Sequence, residues 1–275
     1  MDSRPLGVFD SGVGGLTVVS EIIKGLPNES IIYFGDTARF PYGSKNSDDL
    51  QRFTFEIIDF LREEGIKLVV IACNSASSAA LEAAQKRFDI PIVGVIEPGA
   101  RAAVLATRTR KVGVIGTQAT ISSGAYARAV RLFDAGVQVY SQACPELADF
   151  VERGEISGPN VERVVRWYLS PLISAGVDSL ILGCTHYPLL TGAIQKVVGD
   201  EVRLISSAKE AARELKELLA MKGSFREGES IPFYRFISSG DQTRFLELGE
   251  RFLGREINAV ERVSLKEIIL PGGGG

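Results

Sequence analysis

Leu68-Val69-Val70-Ile71-Ala72-Cys73-Asn74 and Ser179-Leu180-Ile181-Leu182-Gly183-Cys184-Thr185 decide the fold. Both are apolar runs without polar alternation, the pattern of a parallel strand covered by helices on both faces. Both end on a cysteine, then a polar residue, then a stretch expected to be helical. The correspondence extends backwards along the chain. Asp10, Ile31 and Cys73 have counterparts in Thr117, Val137 and Cys184, at offsets of 107, 106 and 111 residues. Three paired elements at nearly constant spacing predict two structurally related halves, although few residues are shared between them.

Around these anchors, short β-rich runs alternate with helical periodicity. Strands are expected at 6–9, 31–34, 68–72, 92–95, 112–115, 137–140, 179–182, 202–205 and 233–237. Leu50, Phe53, Ile57, Ile58 and Leu61 recur at helical spacing, with Asn46 or Ser47 as cap and Gly65 as stop. Similar segments occupy 76–88, 161–174 and 215–221. This alternation implies open, doubly wound parallel sheets. The expected class is therefore α/β, with two pseudo-symmetric doubly wound domains and the active site in the cleft between them. The first domain takes residues 1–96 and 208–270, the second takes 97–207, and 271–275 is a flexible tail. Glu97-Pro98-Gly99 is the expected link, because proline disfavours a continuing helix and glycine loosens the chain. Residues 221–229 read as a surface connection.

The totals narrow the function classes. Hydrophobic residues make up 45% of the 275 and charged residues 24%, enough for a sizeable core and far from a disordered composition. A net charge of −3 leaves no electrostatic footprint for a nucleic-acid binder. No apolar run reaches the ~18 residues of a membrane span. Met1-Asp2-Ser3-Arg4-Pro5 leads into a strand without a signal-peptide core. Neither nucleic acid nor membrane is expected as a partner, and the cytoplasm is the expected location. Three cysteines, an odd number, favour reduced thiols over a disulfide framework. With no C-x-x-C pair and a single histidine, no metal site is expected.

Ligands of open α/β sheets bind outside the carboxyl ends of the strands. Two halves packed face to face would therefore set Cys73 and Cys184 on opposite sides of one cleft. A thiol at a helix start gains thiolate character from the helix dipole; the ordinary alternative is a small buried hydrophobe. Two matched thiols suit inversion of a carbon acid: one removes the α-proton and the other delivers a proton to the opposite face. His186, two residues past Cys184, can raise its thiolate content or act as the acid. Asp10 ends the first strand before Ser11-Gly12-Val13-Gly14-Gly15, where it reads as a capping carboxylate ahead of a tight turn. The turn matches neither common phosphate-binding glycine pattern. Glu152 reads as a solvated carboxylate at a helix end, and Cys144 as structural. Cys184–His186 nucleophilic hydrolysis and non-catalytic binding of a small molecule remain alternatives.

Several runs together resemble the glutamate racemase family within the aspartate/glutamate racemase superfamily. They are Phe9-Asp10-Ser11-Gly12-Val13-Gly14-Gly15, Asp36-Thr37-Ala38-Arg39-Phe40-Pro41-Tyr42-Gly43, Ala72-Cys73-Asn74, Glu97-Pro98, Gly116-Thr117-Gln118-Ala119-Thr120 and Gly183-Cys184-Thr185-His186-Tyr187-Pro188-Leu189-Leu190. The resemblance implies interconversion of L- and D-glutamate without pyridoxal or any other cofactor, supplying D-glutamate to peptidoglycan. It implies that Cys73 handles the D-enantiomer's proton and Cys184 the L-enantiomer's. Asp10 matches the carboxylate beside the first thiol, and Glu152 and His186 match assisting groups beside the second. Ser11, Tyr42, Gly43, Asn74, Ser75, Thr117, Thr120 and Thr185 match substrate contacts, as Asp10 and His186 do. Ser75 stands where the family usually has threonine. Aspartate racemase is the neighbouring alternative, and a homodimer is expected because relatives often form one.

Overall fold

A computed structural model describes residues 2–226 and 231–265. The expected tail at 271–275 and residues 227–229 of the expected surface connection lie outside the described residues.

Among the described residues, ten strands form two parallel sheets. The first holds β1 (Leu6–Asp10), β2 (Ile31–Gly35), β3 (Leu68–Ile71) and β4 (Ile92–Val93), with β9 (Tyr234–Ser238) and β10 (Val260–Arg262) returning from the C-terminal part. The second holds β5 (Lys111–Gly116), β6 (Gln138–Ala143), β7 (Ser179–Gly183) and β8 (Arg203–Ser206). The strand orders are β10-β9-β2-β1-β3-β4 and β6-β5-β7-β8. Without β9 and β10, the two orders are the same, so the repeat seen in the sequence is a repeat of topology. Both sheets switch direction beside their first strand, β1 and β5, opening a crevice at the carboxyl ends of β1 and β3 and of β5 and β7.

Helices α1 (Leu16–Gly25), α2 (Ser47–Glu63), α3 (Asn74–Arg87) and α4 (Ile96–Ala106) belong to the first run of the chain. There follow α5 (Gln118–Ser122), α6 (Ala125–Phe133), α7 (Glu146–Glu152), α8 (Pro159–Ala175) and α9 (Thr191–Val198). The chain returns through α10 (Ser207–Lys222) and α11 (Gln242–Leu253). Helix α2 forms as its periodicity predicts. Asn46 caps it, its Oδ1 accepting from Asp49 N at 2.8 Å, and Leu50, Phe53, Ile57, Ile58 and Leu61 are buried.

Two expectations need correction. Glu97-Pro98-Gly99 is not a loose link but the first turn of α4, where proline's missing N–H costs no helical hydrogen bond. The two cysteines also differ in local setting. Cys73 is the residue before α3, whereas Cys184 leads into a 3₁₀ turn at Tyr187–Leu190, with α9 starting only at Thr191. Only the first thiol sits directly at a helix N-terminus.

The halves share a core. One buried apolar cluster runs from Leu6, Val8 and Leu16 through Leu215 of α10 to Leu172 and Leu182. Separate clusters fill the far face of each sheet. Among the described residues, no helix is long and apolar enough to cross a membrane.

Candidate active site

The crevices of the two sheets meet in one cavity of about 250 Å³, smaller than the ~300–1,000 Å³ typical of drug-sized ligands. From the first half, Ser11, Tyr42, Gly43, Cys73, Asn74 and Ser75 line it; from the second come Thr117, Cys184, Thr185 and His186. The polar wall is built of hydroxyls, the Asn74 and Gln118 amides, two thiols, the Asp149 carboxylate and the His186 imidazole, with no lysine or arginine in it. Ser75 Oγ lies 2.8 Å from Thr117 Oγ1 and 3.3 Å from Thr120 Oγ1, so a cluster of three hydroxyls already spans the cleft.

Three expected site residues stand behind this wall. Thr120 supports Thr117, its backbone N–H donating to Thr117 Oγ1 at 3.2 Å. Asp10 is fully buried, and its Oδ2 accepts from Gly12 N at 3.2 Å while Oδ1 has no protein partner. It does not line the cavity and stands behind Cys73, which does. Burial, only partly offset by the charge of His186, raises the pKa of the Asp10 carboxyl. Burial and the Asp10 charge push the Cys73 thiol well up as well, holding it in the protonated form.

Glu152 is the third, and the solvated-end reading of it is wrong. Its side chain is 12% exposed, and Oε1 faces His186 Nε2 at 2.9 Å. His186 Nδ1 lies 3.9 Å from Cys184 Sγ, completing a carboxylate–imidazole–thiol relay. Burial alone would neutralise the imidazole, but Cys184 and Glu152 outweigh it and raise its pKa to about 10. Burial likewise opposes the Glu152 charge, yet His186 and Arg244 hold its carboxyl below the usual range. Phe40 stacks on the imidazole at 6.1 Å between centroids, and Phe252 meets it edge-on at 5.0 Å.

The raised histidine gives a stability prediction with a defined sign. A folded-state pKa above the ordinary 6.5 means His186 stabilises fully below 6.5 and loses that contribution as pH rises towards about 10. Melting temperature is expected to fall across that window more steeply in the native protein than in His186→Asn, as measured by calorimetry at pH 6 to 10. Equal slopes would contradict the relay.

Sequence reasoning missed the scaffold of the 36–44 loop that presents Tyr42 and Gly43. Asp36 is fully buried; its Oδ1 accepts from Ser239 Oγ at 2.8 Å, and its Oδ2 accepts from Tyr42 Oη and from Arg39. Ser239 Oγ also accepts from Ala38 N at 2.9 Å, and Thr37 Oγ1 pairs with Ser238 Oγ at 2.7 Å. The available signal was a carboxylate ending β2, as Asp10 ends β1. Its serine partners lie about two hundred residues away and carry no motif. The loop packs tightly on the other half: a Cβ on Gly43 would lie 2.8 Å from Thr117 Cβ. Cys144 is buried, with Sγ 3.6 Å from Gln142 O, and does not line the cavity.

The Asp/Glu/hydantoin racemase family model matches residues 7–215, a span that contains both thiols. The chain belongs to that family. Members resemble it over nearly its full length. The glutamate racemase of Corynebacterium diphtheriae is 50% identical over 95% of this chain and 98% of its own. A glutamate racemase isoform of Bacillus anthracis superposes with a TM-score of 0.93 at 46% identity, covering 96% of this chain and 99% of its own. The Francisella tularensis glutamate racemase, solved with D-glutamate, superposes at 0.91 with 40% identity over 97% of this chain and 100% of its own. The family's two-domain α/β architecture and its parallel sheets are those described above.

Proposed function

We propose that this chain interconverts L- and D-glutamate by two-thiol proton transfer and supplies D-glutamate for peptidoglycan synthesis. The observation that carries this reading is the pair of buried cysteines at equivalent strand ends, both lining one small hydroxyl-rich cavity between the halves. Full-length similarity to glutamate racemases supports the substrate.

In the resting site the His186 imidazole, its pKa raised by Cys184 and Glu152, lies 3.9 Å from Cys184 Sγ, while burial keeps Cys73 protonated. L-glutamate binds with its α-hydrogen towards Cys184, which removes the proton. Cys73 then gives its proton to the opposite face of the carbanion, yielding the D-enantiomer. In the reverse direction Asp10 receives the Cys73 proton and His186 gives one to Cys184; Cys73 then removes the α-proton and Cys184 delivers its own to the opposite face. Ser75, Thr117 and Asn74, with the turn at Tyr42 and Gly43, act as fixed donors for the substrate carboxylates. Such donors hold developing carbanion charge without the reorganisation that water requires. Cytoplasmic location and a homodimer belong to the same reading.

The decisive assay incubates purified protein with L-glutamate in D₂O and follows optical rotation and α-deuterium together. Loss of rotation with deuterium at Cα is expected. Glutamate that binds but keeps both its rotation and its α-hydrogen would move the protein to a sensor role. A trapped acyl-enzyme would point to hydrolysis.

A further inference from the structure

Each catalytic strand end is tied to the opposite half by a buried hydroxyl. Asn74 follows Cys73 in the first half, and its Oδ1 accepts from the hydroxyl of Tyr126, on α6 of the second half, at 2.7 Å. Thr185 follows Cys184 in the second half. Its carbonyl oxygen lies 3.1 Å from Thr17 Oγ1, on α1 of the first half, which also reaches Gly14 O at 2.9 Å. None of these four side chains is more than 7% exposed.

The chemistry of the pins is asymmetric. The Tyr126 proton goes to Asn74, and Ser207 Oγ, 2.7 Å from the Tyr126 oxygen, has one proton to share between that oxygen and Leu182 O at 3.3 Å. Ser207 begins α10, the segment that carries the chain back to the first half. The Thr17 proton lies between two carbonyls, one from each half, at a point of close backbone approach. A Cβ on Gly14 would lie 2.4 Å from Thr185 Oγ1 and 2.6 Å from His186 Nδ1. The glycine permits the contact, and Thr17 holds it.

We infer that Tyr126 and Thr17 are reciprocal positioning residues, each fixing the thiol of the other half relative to the substrate carbon. Two-base inversion depends on the separation of two groups on different sheets. Packing within either half cannot set that distance. A hydroxyl crossing from each side sets it twice, once beside each thiol. Neither residue touches the reacting atoms; each acts through the residue next to a cysteine. The inference rests on the proposed two-thiol racemisation.

The test uses Tyr126→Phe and Thr17→Val, which remove the hydroxyls and keep shape. Because enantiomers have equal free energy, kcat/KM must fall by one factor in both directions, expected to be about 10- to 100-fold for a displaced acid–base group. Isotope effects separate the two thiols. If Tyr126→Phe impairs transfer at Cys73, the primary isotope effect on kcat/KM rises for α-deuterated D-glutamate and falls for the L-enantiomer. Thr17→Val, acting at Cys184, shifts both in the opposite sense, and Thr17→Ser restores native values. Should Tyr126→Phe not fold, Ser207→Ala removes the hydroxyl behind it and is expected to move the isotope effects the same way.

Isotope effects equal to the native ones in both variants would reduce the pins to simple structural contacts and overturn the inference. Shifts in the same direction would overturn it too. Opposite shifts with the enantiomers exchanged would uphold the pins and reverse the assignment of the thiols. A native protein without racemisation or any α-deuterium effect would instead remove the functional reading beneath it.

Discussion

Cys184→Ala is expected to lower glutamate racemisation by at least about 10³-fold, within the ~10²–10⁴ that a positioned acid–base group contributes. What remains is more informative than what is lost. Cys73 is intact in that variant and still faces the D-enantiomer. D-Glutamate in D₂O is expected to exchange its α-hydrogen slowly without losing rotation, because the same thiol removes and returns the proton. L-Glutamate is expected to be inert. Cys73→Ala gives the mirror image. Each change removes one sulfur from a buried site, a loss of about 1 kcal/mol that leaves the protein folded. Cys144→Ala is the control: its thiol is buried outside the cavity, and racemisation is expected to be unchanged. Near-native racemisation by both single active-site variants would sink the two-thiol mechanism.

The asymmetry of the two thiol environments fits a reaction that needs one base and one acid at rest. Desolvation and a neighbouring carboxylate disfavour charge on Cys73, whereas Cys184 faces a His186 imidazole that is itself held by Glu152. A site with two equally neutral thiols would have to create its base after binding. Asp10, fully buried beside Cys73, is the carboxylate of the first half, as Glu152 is that of the second.

The parts legible in the sequence were those governed by local pattern. Each of the nine β-rich runs falls on a strand; the inner strands are continuous because both their faces are buried, whereas β6 and β8 are edge strands with few buried residues. β10 escaped because Val260-Glu261-Arg262 is a short edge strand with Glu261 and Arg262 exposed. Helix α11 escaped although Phe245, Phe252 and Leu253 are buried at helical spacing. The thiols were legible because the repeat set them at matching strand ends. Glu152 was misread without the resemblance: its partner, His186, lies 34 residues away and comes near only when α7 packs beside the 3₁₀ turn at Tyr187–Leu190. Asp36, Tyr126 and Thr17 were invisible for the same reason. Their importance comes from contacts across the fold, and no spacing along the chain encodes those.

The other large expected effect lies at the far end of the first sheet, and it is one of stability. Lys67 Nζ sits 2.6 Å from Glu29 Oε2, with both side chains 2% exposed. The ammonium also donates to Asp2 O at 2.9 Å and Ser224 O at 2.8 Å, and Glu29 Oε1 accepts from Arg226 N at 2.8 Å. This pair thus ties the chain's first residues and its return from α10 to the starts of β2 and β3. Lys67→Met removes the only cation contacting Glu29 among the described ion pairs and strands two carbonyls. The expected loss is about 3–5 kcal/mol, the range for removing one partner of a buried pair. Glu29→Gln should lose less, about 1–3 kcal/mol, because its amide oxygen can still accept from Arg226 N. Lys67→Met/Glu29→Leu should recover part of the loss by removing the stranded charge, while the unpaired carbonyls keep it below native stability. Urea titrations read all three. Lys67 and Glu29 precede their strands, whereas the thiols follow theirs, so kcat of the folded fraction should not change. A Lys67→Met midpoint equal to the native one would show that solvent reaches this pair, and a changed kcat would show that the two ends of the sheet are coupled.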